Sequence, residues 1–317
     1  MSKSIVVIGA GAWGTALAVL QAKAGRPVTL WARDSEKVMA LRTSRQTPRL
    51  PGVLLPKEVQ VSATIPPAEI FLLAVPTQTL RATMALLPPK VPVVLCCKGL
   101  EQGSLALPPE LIAPRACAVL TGPNFAHEVA AGLPAAAVLA TPDAALRTML
   151  IAALHTPCFR LYGAADITGA ALGGAAKNVI AIAAGVVMGA GLGENARAAL
   201  ITRGLAEIAR LAEALGGKAE TIAGLSGLGD LLLTCTGLSS RNYSLGFGLG
   251  QGQDLAAILA QRAAVTEGVM TAPALLARAK DVGVEMPITQ AVTKLLAGGM
   301  NVAETMAALM GRALKDE

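Results

Sequence analysis

The sequence predicts two domains: an α/β half built on a doubly wound sheet, residues 1–165, and an all-helical half, residues 166–317. Three observations predict this. At 317 residues the chain is long for a single core. Short buried-strand runs alternate with helical or loop segments through the first half. After about residue 166 these runs stop, and apolar residues take up helical spacing.

The first element, residues 4–8 ("SIVVI"), is a β-branched run suited to a buried parallel strand. It runs straight into Gly9-Ala10-Gly11-Ala12-Trp13-Gly14 and a helical segment ending near Gly25. In this GxGxxG arrangement Gly9 permits the tight turn, Gly11 lets backbone approach a pyrophosphate, and Gly14 allows close helix–strand packing. A diphosphate then lies at the helix N-terminus, where free N–H groups and the dipole favour anions. The placement, between the first strand and the first helix, is that of a Rossmann-type dinucleotide site.

The second strand is expected within residues 27–34. A site for NAD commonly carries an acid at the end of this strand to hold the ribose 2′-hydroxyl. Here Trp31 and Ala32 are followed by Arg33, which can receive the 2′-phosphate of NADP, although Asp34 stands next to it. The expected cofactor is therefore NADP or NAD, with NADPH favoured. Further strands are expected in residues 69–76, 91–100, 116–123 and 134–140. Ligands of such sheets bind at the carboxyl ends of the strands. Lys98, Gly122 and Asn124 fall at two of those ends.

In the second half, residues 194–217 carry an apolar stripe closed by two glycines, and helices are also expected in residues 255–262, 272–281 and 289–296. Residues 178–193 are uncharged, but they carry Gly185, Gly189 and Gly191 and fall short of the ~20 residues a bilayer requires. They read as a buried helix, with no membrane span. Just before them, Lys177 is the only charge between residues 167 and 193. An unpartnered buried ammonium costs several kcal/mol. Lys177 is therefore either a helix-edge lysine reaching water or a lysine kept for chemistry. Two segments differ from their surroundings: "GLSGLGDLLLTC" with Asp230, and "SSRNYS" with Arg241, read as a loop. Capping and turn roles compete with function at both.

Composition narrows the classes. Hydrophobic residues make up 53% and charged residues 15%, far from a disordered chain. Aromatics are 3% and the basic residues are scattered, which argues against nucleic acid. The net charge of +6 suits small anionic ligands. Five cysteines without CxxC spacing and two histidines point to reduced thiols and no metal site. The N-terminus has no signal-peptide pattern, so a soluble, cytoplasmic protein is expected.

Together, "GAGAWGTALA", "LAVPTQ", "CCKGLE", "LTGPNFAHEVAAGLP", "AAKNVIAIAAGVVMG", "ARAALITRGL", "GLSGLGDLLLTC" and "SSRN" give a chain that resembles the bacterial NAD(P)-dependent glycerol-3-phosphate dehydrogenases over nearly its whole length. The departures are "GGAAKNV" where the family usually has "GALKNV", "PRLPG" for "PRYLPG", and Ala12 where serine is frequent. None removes a reactive group. The resemblance implies a helical domain like the C-terminal domain of 6-phosphogluconate dehydrogenase. It makes Lys177 the catalytic acid/base, with a pKa lowered by an apolar cleft and with Gly173, Gly174, Ile180 and Ala181 one turn away, mostly small enough to admit a ligand.

It further assigns Lys98, Gly122, Asn124, Asn178, Asp230, Ser240, Arg241 and Asn242 to the substrate, with Arg241 as phosphate clamp and Asp230 orienting Lys177. Ala12, Trp13, Arg33, Lys98, Ala126, Arg241, Val265 and Glu267 join the three glycines at the cofactor. His127 and His155 read as surface residues. The implied reaction is hydride exchange between dihydroxyacetone phosphate and sn-glycerol 3-phosphate in a cleft between the domains, supplying glycerol 3-phosphate for phospholipid synthesis. Two other readings stand beside it: a related dehydrogenase acting on another hydroxy acid or sugar, and a cofactor-sensing regulator without turnover. A homodimer is an assumption that no residue supports.

Overall fold

The computed structural model of the chain describes residues 3–262 and 266–305. The chain forms two compact units, residues 1–98 with 106–171 and residues 99–105 with 172–317. The composition shift places the boundary at 165/166; the packing places it at 171/172, because the first turn of the long helix there belongs to the first unit.

In the first unit the strands are β1 (Ile5–Ile8), β2 (Val28–Trp31), β3 (Val59–Ser62), β4 (Ile70–Leu73), β5 (Val93–Leu95), β6 (Cys117–Thr121), β7 (Ala135–Ala140) and β8 (Phe159–Ala164). They form one eight-stranded sheet in the order β3-β2-β1-β4-β5-β6-β7-β8. β1 pairs in parallel with both β2 and β4, with Ile5 opposite Val28 and Ile70. The first six strands thus have the 3-2-1-4-5-6 order of a dinucleotide-binding sheet. β7 runs antiparallel to β6, and β8 parallel to β7.

Every residue of β1, β2, β4 and β5 is buried, as expected of strands covered on both faces. β3 and β8, which the sequence reading did not identify, alternate buried and exposed residues over most of their length and lie at the two edges. An edge strand needs only one apolar face, so it lacks the continuous apolar run by which the central strands are found. Helices α1 (Ala12–Lys23), α2 (Ser35–Ser44), α3 (Leu80–Met84), α4 (Pro108–Ile112), α5 (Ala126–Ala131) and α6 (Ala144–Leu154) complete the unit.

The second unit is helical: α7 (Ile167–Gly189), α8 (Gly193–Ala214), α9 (Ala219–Ala223), α10 (Asp230–Cys235), α11 (Arg241–Gly250), α12 (Leu255–Ala260), α13 (Glu267–Asp281) and α14 (Pro287–Leu296). α7 is long and apolar enough to cross a membrane, yet 94% of its apolar window is buried inside the molecule, which marks it as a core helix.

α7 and α11 approach until their backbones touch. A Cβ on Gly185 would stand 2.1 Å from the carbonyl oxygen of Tyr243, and one on Gly189 would stand 2.1 Å from that of Phe247. From the other side, a Cβ on Gly246 would lie 1.9 Å from Ile182 O and one on Gly250 would lie 2.4 Å from Val186 O. Two pairs of glycines at four-residue spacing therefore set the distance between these helices. Gly185 and Gly189, two of the three glycines that made residues 178–193 look unlike a membrane span, lie on the packing face of the helix, and Gly191 lies beyond its end.

Candidate active site

The nucleotide loop joins β1 to α1. Gly9 has φ +111°, a left-handed conformation that residues with a Cβ rarely adopt, and a Cβ there would meet Ala74 O at 2.7 Å. A Cβ on Gly14 would lie 1.9 Å from Gly9 O, so the third glycine lets the first turn of α1 close onto the loop. Gly11 is different. It caps α1 in extended conformation, and a Cβ there would meet nothing within 4 Å. Open space beside an unobstructed helix N-terminus fits a diphosphate.

Ala12 and Trp13 begin α1, and the Trp13 indole nitrogen is buried without a hydrogen-bond partner among the described residues. Ala126 begins α5. Arg33 is exposed in the turn after β2. Beside it, Asp34 is the N-cap of α2: its carboxylate accepts from the backbone of Glu36 at 3.0 Å and of Lys37 at 3.2 Å. The one acid near the end of β2 is thus engaged as a helix cap, while the arginine next to it is exposed.

At the carboxyl ends of β5 and β6 the structure brings Lys98 and Gly122 together, the Lys98 ammonium lying 3.5 Å from the Gly122 carbonyl oxygen. Gly122 has φ +150°, and a Cβ on it would press on Ala137 Cα at 3.0 Å. Asn124 donates through Nδ2 to Ala136 O at 3.2 Å, which fixes the amide orientation. Its buried Oδ1 has no partner among the described residues.

The second cluster lies in the helical unit. Lys177 sits in the middle of α7, 8% exposed. Its ammonium donates to Asp230 Oδ1 and, at 2.9 Å, to Thr234 Oγ1. Asp230 has no exposed surface and opens α10. The Thr234 hydroxyl donates to the Asp230 carbonyl oxygen at 2.6 Å and so receives the lysine through its lone pairs. Both a surface lysine reaching water and a solitary ammonium in an apolar pocket are thereby set aside. The charge is buried, and a carboxylate one salt bridge away compensates it.

Gly173 does not serve to leave room for a ligand, as the sequence suggests. A Cβ there would lie 2.5 Å from Ser226 O, so this glycine lets the turn at Leu225–Gly229 press against α7 and brings Asp230 beside Lys177.

Beside this cluster, Asn242 Nδ2 donates to Asn178 Oδ1 at 2.8 Å, and Asn242 Oδ1 accepts from Gly268 N at 3.0 Å. Both asparagines are buried. This chain of bonds ties α7 to α11 and to the start of α13, where Glu267 is the first residue. The Ser-Arg-Asn segment is not a loop. Ser240 caps α11 by accepting from Tyr243 N at 3.2 Å, and Arg241 and Asn242 form its first turn. The spacing from capping serine to glycine-rich helix was present in the sequence, but glycines at positions 246, 248 and 250 hid the helix. Val265, expected at the cofactor, lies outside the described residues. His127 and His155 are exposed. Thr234 was missed: a threonine one turn after an aspartate carries no signal until both meet the lysine.

The family profile described as the NAD-dependent glycerol-3-phosphate dehydrogenase N-terminus matches residues 4–147, and the profile for the C-terminus of the same enzymes matches residues 166–307. A glycerol-3-phosphate dehydrogenase [NAD(P)+] of Acidiphilium cryptum is 62% identical, over 98% of this chain and 97% of the relative. That of Gluconobacter oxydans is 55% identical, over 97% of each chain. Among solved structures, the glycerol-3-phosphate dehydrogenase of Coxiella burnetii matches with a TM-score of 0.93 at 36% identity, covering 98% of this chain and 99% of that one. A nucleotide loop, a helical unit with a buried lysine–aspartate pair, and profiles spanning both halves agree: the chain belongs to the family of NAD(P)-dependent glycerol-3-phosphate dehydrogenases, and is an oxidoreductase that uses NAD or NADP.

Proposed function

We propose that the chain interconverts dihydroxyacetone phosphate and sn-glycerol 3-phosphate, with Lys177 as the acid/base. The observation that supports this most directly is the buried Lys177 ammonium held by Asp230 and Thr234. The nicotinamide cofactor, when bound, supplies or accepts the hydride. Lys177 holds the proton that the C2 oxygen of the ketone needs as it becomes a hydroxyl, and takes it back in the reverse direction. Asp230 compensates the buried charge and, with Thr234, fixes where the ammonium points. Such acid/base help is worth roughly 10²- to 10⁴-fold.

Arg241 is the phosphate clamp, its planar fork matching phosphate oxygens. Asn178, Ser240 and Asn242 serve the substrate and also hold the helices that carry Lys177 and Arg241 in register, and Lys98, Gly122 and the Asn124 Oδ1 acceptor are further substrate groups. Gly9, Gly11, Gly14, Ala12, Trp13, Ala126 and Glu267 serve the cofactor. Arg33 favours NADP over NAD, since the Asp34 carboxylate is already engaged as a cap. A cytoplasmic enzyme supplying glycerol 3-phosphate for phospholipid synthesis fits this chemistry.

The test follows NADPH oxidation by absorbance with dihydroxyacetone phosphate, using the native protein and Lys177→Ala. The expected result is turnover by the native protein and a loss of a hundredfold or more in the variant. Equal turnover by both proteins overturns the role of Lys177, and no turnover with NADPH or NADH overturns the substrate.

A further inference from the structure

A buried polar side-chain atom without a partner is rare in a folded chain, because leaving it unpaired is unfavourable. Among the described residues six such atoms occur. Three of them, Trp13 Nε1, Thr15 Oγ1 and Thr77 Oγ1, belong to the connections that leave two neighbouring strands: the first turn of α1 after β1, and the turn after β4. Thr15 lies within α1 with no exposed surface. Thr77, 4% exposed, instead begins a single 3-10 turn, Thr77–Thr79, at the carboxyl end of a strand.

Nearby acceptors for the Thr77 hydroxyl are already engaged. The Thr79 amide and hydroxyl both donate to the Pro76 carbonyl at 2.9 Å, and the Leu73 carbonyl, four residues before Thr77, receives the Cys96 amide in the sheet. The segment leading into this turn presses on the nucleotide loop: a Cβ on Gly9 would stand 2.7 Å from Ala74 O and 3.1 Å from Val75 Cγ1. At β1 and β4 the chain also changes direction across the sheet, from β2 and β3 on one side to β5 and β6 on the other. A dinucleotide lies across the carboxyl ends at such a point, with one mononucleotide on each side. The end of β2 serves the adenosine side, so the turn after β4 faces the nicotinamide side. Next to the diphosphate that side carries a ribose, whose hydroxyls donate and accept as a threonine hydroxyl does.

We propose that Thr77 is a further cofactor-binding residue, its hydroxyl pairing with a ribose hydroxyl on the nicotinamide side of NADP or NAD. This rests on the reading of the Gly9–Gly14 loop as the diphosphate site. The experiment compares the native protein with Thr77→Val, which keeps the shape and removes the hydroxyl, and Thr77→Ser, which keeps the hydroxyl. NADPH affinity is followed by cofactor fluorescence. Affinity for ADP, which carries the adenosine and diphosphate but no second ribose, is measured by calorimetric titration. Thermal midpoints are recorded without ligand.

Thr77→Val is expected to raise the NADPH dissociation constant roughly tenfold, the scale of one lost hydrogen bond, and to leave that of ADP within about twofold. Its thermal midpoint should not fall, because the hydroxyl it loses has no partner in the free protein. Thr77→Ser should bind NADPH within about threefold of the native protein. Native-like NADPH binding by Thr77→Val overturns the proposal, and so does an equal loss for NADPH and ADP, or a serine variant as weak as the valine one. A lower midpoint for Thr77→Val alone also overturns it, since the hydroxyl then serves the fold. A native protein that binds neither NADPH nor ADP instead refutes the reading of the glycine loop.

Discussion

The nucleotide loop and the lysine cluster are assembled in opposite ways. The loop is local: Gly9, Gly11 and Gly14 lie within six residues, Gly9 and Gly14 where a Cβ would collide with backbone and Gly11 beside open space at the helix N-terminus. The lysine cluster is not local. Lys177 meets Asp230 across 53 residues, and Asn178 meets Asn242 across 64. Its precision comes from close backbone contacts, Gly173 against Ser226 and the four glycines between α7 and α11. The difference teaches where each site is vulnerable. The loop fails when its own residues change, whereas the cluster also fails when the helices carrying it shift by an ångström, even if every polar group remains.

The largest effect expected in the helical unit comes from Asp230→Asn. Removing one member of a buried ion pair typically costs about 3–5 kcal/mol, because the remaining charge stays buried. Thermal or urea unfolding should show a loss of that order. Native-like stability would mean that the ammonium reaches water and that the cluster is less closed than its burial indicates.

A second long-range contact in the same unit depends on pH. Glu207, 3% exposed, accepts from the backbone of Ile288 at 2.7 Å and Thr289 at 3.3 Å, holding the start of α14 from α8 across 81 residues or more. Burial pushes its carboxyl up to about 7, against the hydrogen bonds from Ile288 and Thr289, which pull it down. The native state therefore binds the proton more tightly than the unfolded chain does. The stabilisation this provides is complete below about pH 4.5 and is lost as pH rises through about 7. Glu207→Gln should flatten the stability–pH profile across that window by an amount on the order of 3 kcal/mol. Parallel profiles for the two proteins would show that the carboxylate stays ionised.

Gly246→Ala tests the packing directly. Its Cβ would meet Ile182 O at 1.9 Å, so α7 and α11 must part, at a cost of roughly 1–3 kcal/mol. Activity should fall along with stability although no polar residue is altered. An active variant of normal stability would break the claim that helix spacing sets the cluster. The smallest effect on stability belongs to the loop. Gly11→Ala adds a Cβ to open space in an extended backbone, so unfolding should change by less than about 0.5 kcal/mol while NADPH affinity, followed by cofactor fluorescence, falls. Undiminished affinity would mean that the open space beside Gly11 is not where the diphosphate lies.

The same contrast explains what could be read in advance. The central strands were legible because strands buried on both faces appear as continuous apolar runs, and the glycine loop was legible because its three glycines lie within six residues. The edge strands β3 and β8 were not, since half of each faces outward. Ser240, Arg241 and Asn242 could be picked out as residues, but their helix could not, because the glycines that lower its propensity are the ones its packing requires. Thr234 was invisible for a further reason: its only distinction is its place beside Lys177 and Asp230.

By itself, then, the sequence determined the α/β-then-helical order, the dinucleotide loop, and the anomaly of one lysine in an apolar helix. Each of these depends on residues close together in the chain, where stereochemistry and periodicity act directly. The tertiary structure decided that the lysine is paired and buried, that Gly173 serves packing and leaves no space for a ligand, and that Asp34 is a cap. Those facts depend on contacts between residues far apart in the chain, and only the packed arrangement of helices fixes such distances.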